Sequence, residues 1–307
     1  MDARHRDPFR TSMIGPSHLS RLKEAGYCII PNLVAPADID ALNRDLDPRF
    51  AVTPFCKGDF YGETTKRFGS LLKRSSIAQK LVLQPTILSL VKNILGPYCD
   101  KVLLNLTQAI EIHPGAPEQF CHRDQDMWGG PKGSIEYLVN VMWPLTPFTR
   151  DNGATVVWPG SHREQDLPMM PPDQAIAAAM NTGSALVFLG STLHAGGANH
   201  TDLPRRGIIV SYCLGWLRPF EAQTLIYPPA VAKEFPRELT ELLGYGIHRP
   251  NLGNYEGQSP AVLLDGGEEP DVLQAQDALT PEQAEFVAQV MRLRAAQSAA
   301  VEGGRLP

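Results

Sequence analysis

Two adjoining stretches decide how this chain is read: Lys101–Gly115, KVLLNLTQAIEIHPG, and, just after it, Gln119–Trp128, QFCHRDQDMW. The first is an apolar, β-prone run. The second spends His, Arg, Asp, Gln and Asp on five consecutive positions, 122–126, beside what looks like core. In an extended segment residues i and i+2 point to the same side, so His122 and Asp124 can face one point together. A solvated turn is the ordinary explanation of such a cluster. With eight histidines and 33 acidic residues in the chain, an H-x-D pattern also arises by chance. The rest of the sequence has to separate the turn from a metal site.

Upstream, the pattern is helical. Ser17 is placed to cap a short helix running to Gly26, and YCIIP (Tyr27–Pro31) reads as a first strand. APADIDALNRDL (Ala35–Leu46) predicts a helix with Asp38 in its first turn. SSIAQKLVLQPTILSLVKNILG (Ser75–Gly96) predicts two helices split at Pro85, because proline cannot continue the hydrogen-bond ladder, with Gly96 ending the second. From about residue 101 the texture changes to short β-rich runs: KVLLNLTQAIEI, SIEYLVNVMWPL, ATVVWPG, GSALVFLG and RGIIVSYCLGWL, separated by Gly, Pro, Asn and Asp. Short strands between turn signals favour a sandwich or barrel over repeated βαβ units. PPDQAIAAAMNTG (Pro171–Gly183) predicts one helix inserted among them, and residues 247–279 read as loop. Thr280, Pro281 and Gln283 form a strong helix start for a C-terminal helix. The expectation is a single catalytic domain over 1–307: a mostly helical part (1–100), a β-core (101–220) and a C-terminal loop and helical extension (221–307).

Composition narrows the function. The chain of 307 residues is 43% hydrophobic and 20% charged, with a net charge of -5, which gives no electrostatic footprint for nucleic acid. No apolar run approaches a membrane span, and the polar N-terminus lacks the apolar segment of a secretory signal, so a cytoplasmic location is expected. The five cysteines are odd in number and never paired as C-x-x-C, which disfavours a zinc ribbon or a disulfide framework.

Seventy residues beyond Asp124, SALVFLGSTLHAGGANHT places His194 just after a buried-strand pattern, among Gly190, Gly196 and Gly197. Two imidazoles and one carboxylate on one side of a metal leave adjacent positions open, the ligand set of non-haem Fe(II) oxygenases. Some zinc hydrolases use a similar set, though no H-E-x-x-H helix is present. Arg205, eleven positions after His194, discriminates. A loop and a return strand, read as a hairpin, would hold its guanidinium in the same cavity as the histidine. A buried guanidinium needs a carboxylate partner, and 2-oxoglutarate offers one while its other end chelates iron. By strand alternation Arg206 faces the other way.

H-R-D at 122–124, NGATVVWPGSH (Asn152–His162), LGSTLHAGGANHT (Leu189–Thr201) and PRRG (Pro204–Gly207) together resemble the phytanoyl-CoA dioxygenase (PhyH) family of Fe(II)/2-oxoglutarate oxygenases. The resemblance runs from about Tyr27 to Gly246 and is nearest to bacterial and fungal tailoring enzymes that carry GWLR at the end of the core. It implies a mainly β, double-stranded β-helix (a cupin-like jelly roll) with flanking α-helices. It also implies His122, Asp124 and His194 as catalytic metal ligands and Arg205, Thr155 and Gln119 on 2-oxoglutarate. Strand alternation from His122 points Gln119 away, unless a bulge intervenes. The implied cofactors are Fe(II), 2-oxoglutarate and O2, with succinate and CO2 as products. A halogenase needs the Asp124 position vacated, so hydroxylation, desaturation or another oxidative rearrangement is expected.

Met127, Trp128 and Cys213 are candidate substrate-lining residues, with Ser211 on the face of Cys213. Asp126 repeats the ligand spacing and is the second choice to Asp124. His162 is expected to be structural or exposed, and His113, His200 and His248 to be solvated. No basic cluster suits a CoA phosphate, so the expected partner is a small, mostly apolar molecule of secondary metabolism or lipid-like character. Related enzymes are often dimers, which leaves a homodimer open. Two rival classes remain: a Zn(II) hydrolase or isomerase on the same triad, and a catalytically silent binding protein of the same fold.

Overall fold

The structure, a computed structural model, describes residues 16–164, 172–265 and 272–303. Its elements run α1 (Pro16–Ala25), β1 (Tyr27–Ile30), α2 (Pro36–Val52), β2 (Thr65–Phe68), α3 (Ser76–Val82), α4 (Pro85–Leu95), β3 (Val102–Ile112), β4 (Leu138–Pro144), β5 (Thr155–Val157), β6 (Ile176–Ala177), β7 (Ala185–Leu189), β8 (His194–Gly196), β9 (Arg205–Leu214), α5 (Gln223–Ile226), α6 (Pro229–Ala232), α7 (Arg237–Leu242) and α8 (Pro281–Gly303). A six-stranded antiparallel sheet, β1-β7-β4-β9-β3-β2, faces a three-stranded one, β6-β5-β8, in a jelly roll.

Strand alternation divides the large sheet. On β9, Ile208, Val210 and Tyr212 join Val141 and Trp143 of β4 in the main core, against Ile39, Leu42 and Leu46 of α2 and Ile87, Leu90 and Val91 of α4. Arg205, Ile209 and Ser211 point the other way, into a cavity between the sheets. Because β4, β7 and β9 are covered on both faces, they read as continuous apolar runs rather than alternating ones. Trimming a fully buried side chain here, such as Leu42, costs roughly 2–5 kcal/mol through lost burial plus the cavity left behind.

The predicted helices around Pro85, the long helix from Pro36 and the strand at Tyr27 are all present. Pro85 opens α4, and the Gln84 side chain caps it by accepting the Thr86 and Ile87 N–H groups. Thr280 and Gln283 form the expected reciprocal cap: each backbone N–H donates to the other's side chain. Several expectations need correction. The first helix already includes Pro16 and Ser17, so Ser17 is not its cap. The segment predicted as a helix from Pro171 is, from residue 172, a 3-10 turn, Pro172–Gln174, followed by β6; Pro171 itself lies outside the described residues. There Ile176 and Ala177 pair with Val157 and Val156, so sheet pairing overrides alanine's helix preference. Strand β2 was not anticipated, since TKRF is too short to show a period.

The link from His194 to Arg205 is also not a hairpin. β8 belongs to the small sheet and β9 to the large one, so the two residues meet across the cavity. The glycines beside it answer a close backbone approach: a Cβ on Gly197 would lie 2.6 Å from the Ala154 carbonyl, and one on Gly153, at φ +88°, 2.7 Å from that of Gly197.

Candidate active site

His122 and His194 lie on neighbouring backbone segments that exchange both N–H···O bonds, 3.0 Å each, as an isolated antiparallel bridge. That pairing brings the imidazole centroids to 4.3 Å. Asp124, at the start of a 3-10 turn (Asp124–Met127), reaches both rings: Oδ1 lies 3.5 Å from His122 Nε2 and Oδ2 3.5 Å from His194 Nε2. One donor atom from each of the three falls within 4.8 Å of the others.

The ring tautomers follow from the backbone. His122 Nδ1 lies 3.1 Å from the Phe120 carbonyl and His194 Nδ1 3.1 Å from that of Thr192. A carbonyl only accepts, so each Nδ1 carries the proton and each Nε2 turns a lone pair toward Asp124. Burial lowers the pKa of His194, opposed by Asp124 and reinforced by His122, which favours the neutral ring a metal requires. Burial raises the Asp124 pKa, but positive charge on His194 or His122 whenever either ring is protonated, together with a hydrogen bond from Asn140, outweighs it, so the carboxyl stays below its usual range. Asn140 Nδ2 donates to Asp124 Oδ2 at 3.0 Å.

Across the cavity stands Arg205, only 2% exposed. Its guanidinium lies 3.7 Å from the Phe148 ring centroid, and Nη2 donates at 3.5 Å to Thr155 Oγ1. Nε has no hydrogen-bond partner, and no carboxylate pairs with the group among the described residues. Burial, with Arg67 adding repulsion, pushes its pKa down to about 9, so it is still a cation at neutral pH. Arg206 does face away, onto Glu111, Asp47 and the Phe50 ring.

The cavity holds about 430 Å³ and is mostly apolar, with Phe60, Ile110, Met142, Phe188, Ile209 and Phe220 in its walls. The triad, Arg205, Thr155, Gln119 and Met127 all line it, and Ser211 does too. Gln119 reaches it because residues 116–121 are irregular, so strand alternation from His122 does not apply. Its amide is already engaged, accepting from Gly196 N at 3.2 Å and donating to the Phe60 carbonyl at 2.9 Å.

Trp128 and Cys213 are not among the lining residues. The turn after Asp124 swings Trp128 onto the main core, where its Nε1 donates to the Arg218 carbonyl and its ring meets Tyr137. Cys213 is fully buried at the far end of β9, opposite Leu103 and Leu138, with burial pushing its thiol up to about 12. His113 is not solvated but sits 2.7 Å from Glu111, and His248 Nε2 accepts from Asp100 N at 3.1 Å; His200 is exposed. His162 is structural, its Nε2 on the Lys23 carbonyl. Asp126 lies on the rim, 3.9 Å from Lys132, and outside the metal cluster.

Among the lining residues that went unrecognised in the sequence, Arg67 and Asn140 bear on the chemistry. Arg67 on β2 donates to Gln108 Oε1 at 3.2 Å, lies over Tyr61 and has an Nε without a partner among the described residues. Asn140 could have been found: a lone amide inside the apolar run YLVNVMW needs a buried partner.

Residues 22–207 match the sequence description of phytanoyl-CoA dioxygenase (PhyH). The chain belongs to the phytanoyl-CoA dioxygenase family. Among its curated family relatives, dioxygenase FrzG of Cladobotryum sp is 33% identical over 245 residues, covering 70% of this chain and 78% of that protein. Multifunctional dioxygenase prhA of Penicillium brasilianum is 27% identical over 249 residues, covering 73% and 80%. Solved structures share the fold. The epimerase SnoN in complex with Fe3+, alpha ketoglutarate and nogalamycin RO gives a TM-score of 0.55 at 17% identity, over 66% of this chain and 86% of that one. HygX from Streptomyces hygroscopicus with nickel, 2-oxoglutarate and hygromycin B gives 0.54 at 14% identity, over 66% and 89%. No helix among the described residues of this PhyH-family chain is long and apolar enough to cross a membrane.

Proposed function

We propose that this chain is a single-domain Fe(II)- and 2-oxoglutarate-dependent dioxygenase that oxidises an unactivated C–H bond of a small, mostly apolar molecule. One observation carries the reading: a buried arginine with no anion beside it among the described residues, Arg205, opens on the same cavity as a His-Asp-His cluster. An uncompensated buried cation is costly unless something bound supplies the counter-charge. A diacid with a metal-chelating end fits both features at once.

His122, Asp124 and His194 would hold iron through Nε2, a carboxylate oxygen and Nε2. Bound iron with 2-oxoglutarate and O2 supplies the oxidising power, with succinate and CO2 as products. Arg205 would bind the far carboxylate of 2-oxoglutarate, steadied by Phe148 beneath it and Thr155 beside it. Arg67, whose field reaches Asp124, is suited to the carboxylate nearer the metal. Gln119 would hold the β8 edge and the Phe60 segment rather than the co-substrate alone. The apolar walls position the substrate and exclude water, and Met127 at the mouth meets it first. The fungal dioxygenases above and the ligand-bound bacterial structures support a role in tailoring secondary metabolites.

The test is substrate-independent turnover. With Fe(II), O2 and 2-oxoglutarate, the protein should release succinate slowly, and Zn(II) in place of Fe(II) should abolish that release. Turnover of an ester or amide panel with Zn(II), and no succinate with iron, would instead establish a hydrolase on the same triad.

A further inference from the structure

His194 is delivered to the cavity by the turn between β7 and β8, and that turn is gripped from two sides at one residue, Ser191. From the β4 side, Glu136 Oε1 accepts the backbone N–H groups of Ser191 (3.2 Å) and Leu138 (3.4 Å), and Oε2 accepts the Ser191 hydroxyl. From the other side comes Arg123, the residue between His122 and Asp124. Its Nε donates to the Ser191 carbonyl at 2.9 Å, and its Nη2 donates to the carbonyls of Ser161 (3.2 Å) and Glu164 (2.6 Å). Gln125, the residue after Asp124, adds a backbone bond to the Gly190 carbonyl at 3.1 Å.

The segment bearing two ligands is thereby tied to the turn bearing the third, and the turn is tied to β4, which also carries Asn140. Glu136 makes this grip at a cost. Burial pushes its carboxyl up to about 7, despite the donors it collects. An ionisable group held against its preference for water marks a position where its acceptor oxygens are needed.

We propose that Glu136 and Arg123 are positioning residues that set His194 against His122 and Asp124 by gripping Ser191 from opposite sides. The proposal rests on the triad being a metal site. Groups that orient metal ligands without touching the metal are worth roughly 10–100-fold in affinity, because a ligand free to swing must be ordered when metal binds.

Co(II) alone is titrated into metal-free protein, following its visible d–d absorption, for the wild type and for Glu136→Gln, Ser191→Ala, Arg123→Met and Arg123→Lys. Thermal midpoints are read on the same metal-free samples. Glu136→Gln and Arg123→Met should each weaken Co(II) by about 10–100-fold. Arg123→Lys, which keeps one donor, should recover part of the loss. Glu136→Gln combined with Ser191→Ala should be no worse than Glu136→Gln alone, since both break one contact. The metal-free midpoint of Glu136→Gln should not fall, which a merely structural role would require. If a Glu136 or Arg123 variant fails to fold, Ser191→Ala decides, and wild-type affinity there counts against the proposal. Wild-type affinity in both Glu136→Gln and Arg123→Met overturns it, as does a loss that only tracks a lowered midpoint. If the wild type binds no Co(II), the metal-site reading falls and takes the proposal with it.

Discussion

Arg205→Met separates a cation kept for a ligand from one kept for the fold. The folded protein depresses this guanidinium from 12.5 to about 9, which bounds its electrostatic cost at neutral pH at ~5 kcal/mol. Both values lie above neutrality, so the cost is constant through pH 5–8 and eases only above about pH 9, where the folded group can release its proton. Methionine removes that cost but loses the stacking on Phe148, about 2 kcal/mol when desolvated. The ligand-free variant should therefore be no less stable than the wild type, and up to roughly 3 kcal/mol more stable. At about 2 °C per kcal/mol, that is a midpoint up to roughly 6 °C higher. Addition of 2-oxoglutarate with Mn(II) should then raise the wild-type midpoint and leave the variant's almost unchanged, because losing a buried charge pair of about 3–5 kcal/mol weakens binding on the order of 10²–10³-fold. Differential scanning fluorimetry with and without 2-oxoglutarate reads both effects. A variant several kcal/mol less stable, yet still shifted by 2-oxoglutarate like the wild type, would refute the reasoning.

Asn140→Ala leaves Asp124 Oδ2 without its donor and should weaken Fe(II) by about 10-fold or more, measured by anaerobic calorimetry. Glu136 carries a raised carboxyl pKa, so the folded state binds its proton more tightly than the unfolded chain. Its contribution should fall as pH rises from about 4.5 to about 7, by at most ~3 kcal/mol, and then level off. Urea unfolding at pH 5 and pH 8, with Lys132 as the neighbouring cation, should show that slope in the wild type and a shallower one in Glu136→Gln. Met127→Ala should change substrate KM with little effect on stability, whereas Trp128→Ala should lower stability by about 3 kcal/mol or more and alter chemistry only through it.

The clustering of His122, Asp124 and His194 was legible in the sequence because each member carries a strong local signal: H-x-D after a strand, and a histidine between a buried run and a glycine-rich turn. The helices around Pro85 and from Pro36, and the β-runs from residue 101, were legible for the same reason, since proline and apolar period act locally. What was lost depends on contacts distant in the chain. β6 is set by pairing with β5, which alanine's helix preference conceals. Arg67 sits on a four-residue strand whose partner, Ile110, lies 43 positions on, so nothing near it announces a cavity. Trp128 and Cys213 were misplaced because alternation says which side a residue takes but not where the cavity ends. His194 and Arg205 are near in sequence yet on opposite sheets, a crossover that spacing alone mistakes for a hairpin.

An anaerobic titration of metal-free protein with Fe(II) and then 2-oxoglutarate, monitored in the visible region, puts triad and arginine to trial in one cuvette. A metal-to-ligand charge-transfer band should develop in the wild type, vanish in His194→Ala, and need on the order of 10²-fold or more 2-oxoglutarate in Arg205→Met. No band in the wild type, with iron failing to bind or Zn(II) bound tightly in its place, would contradict the oxygenase reading.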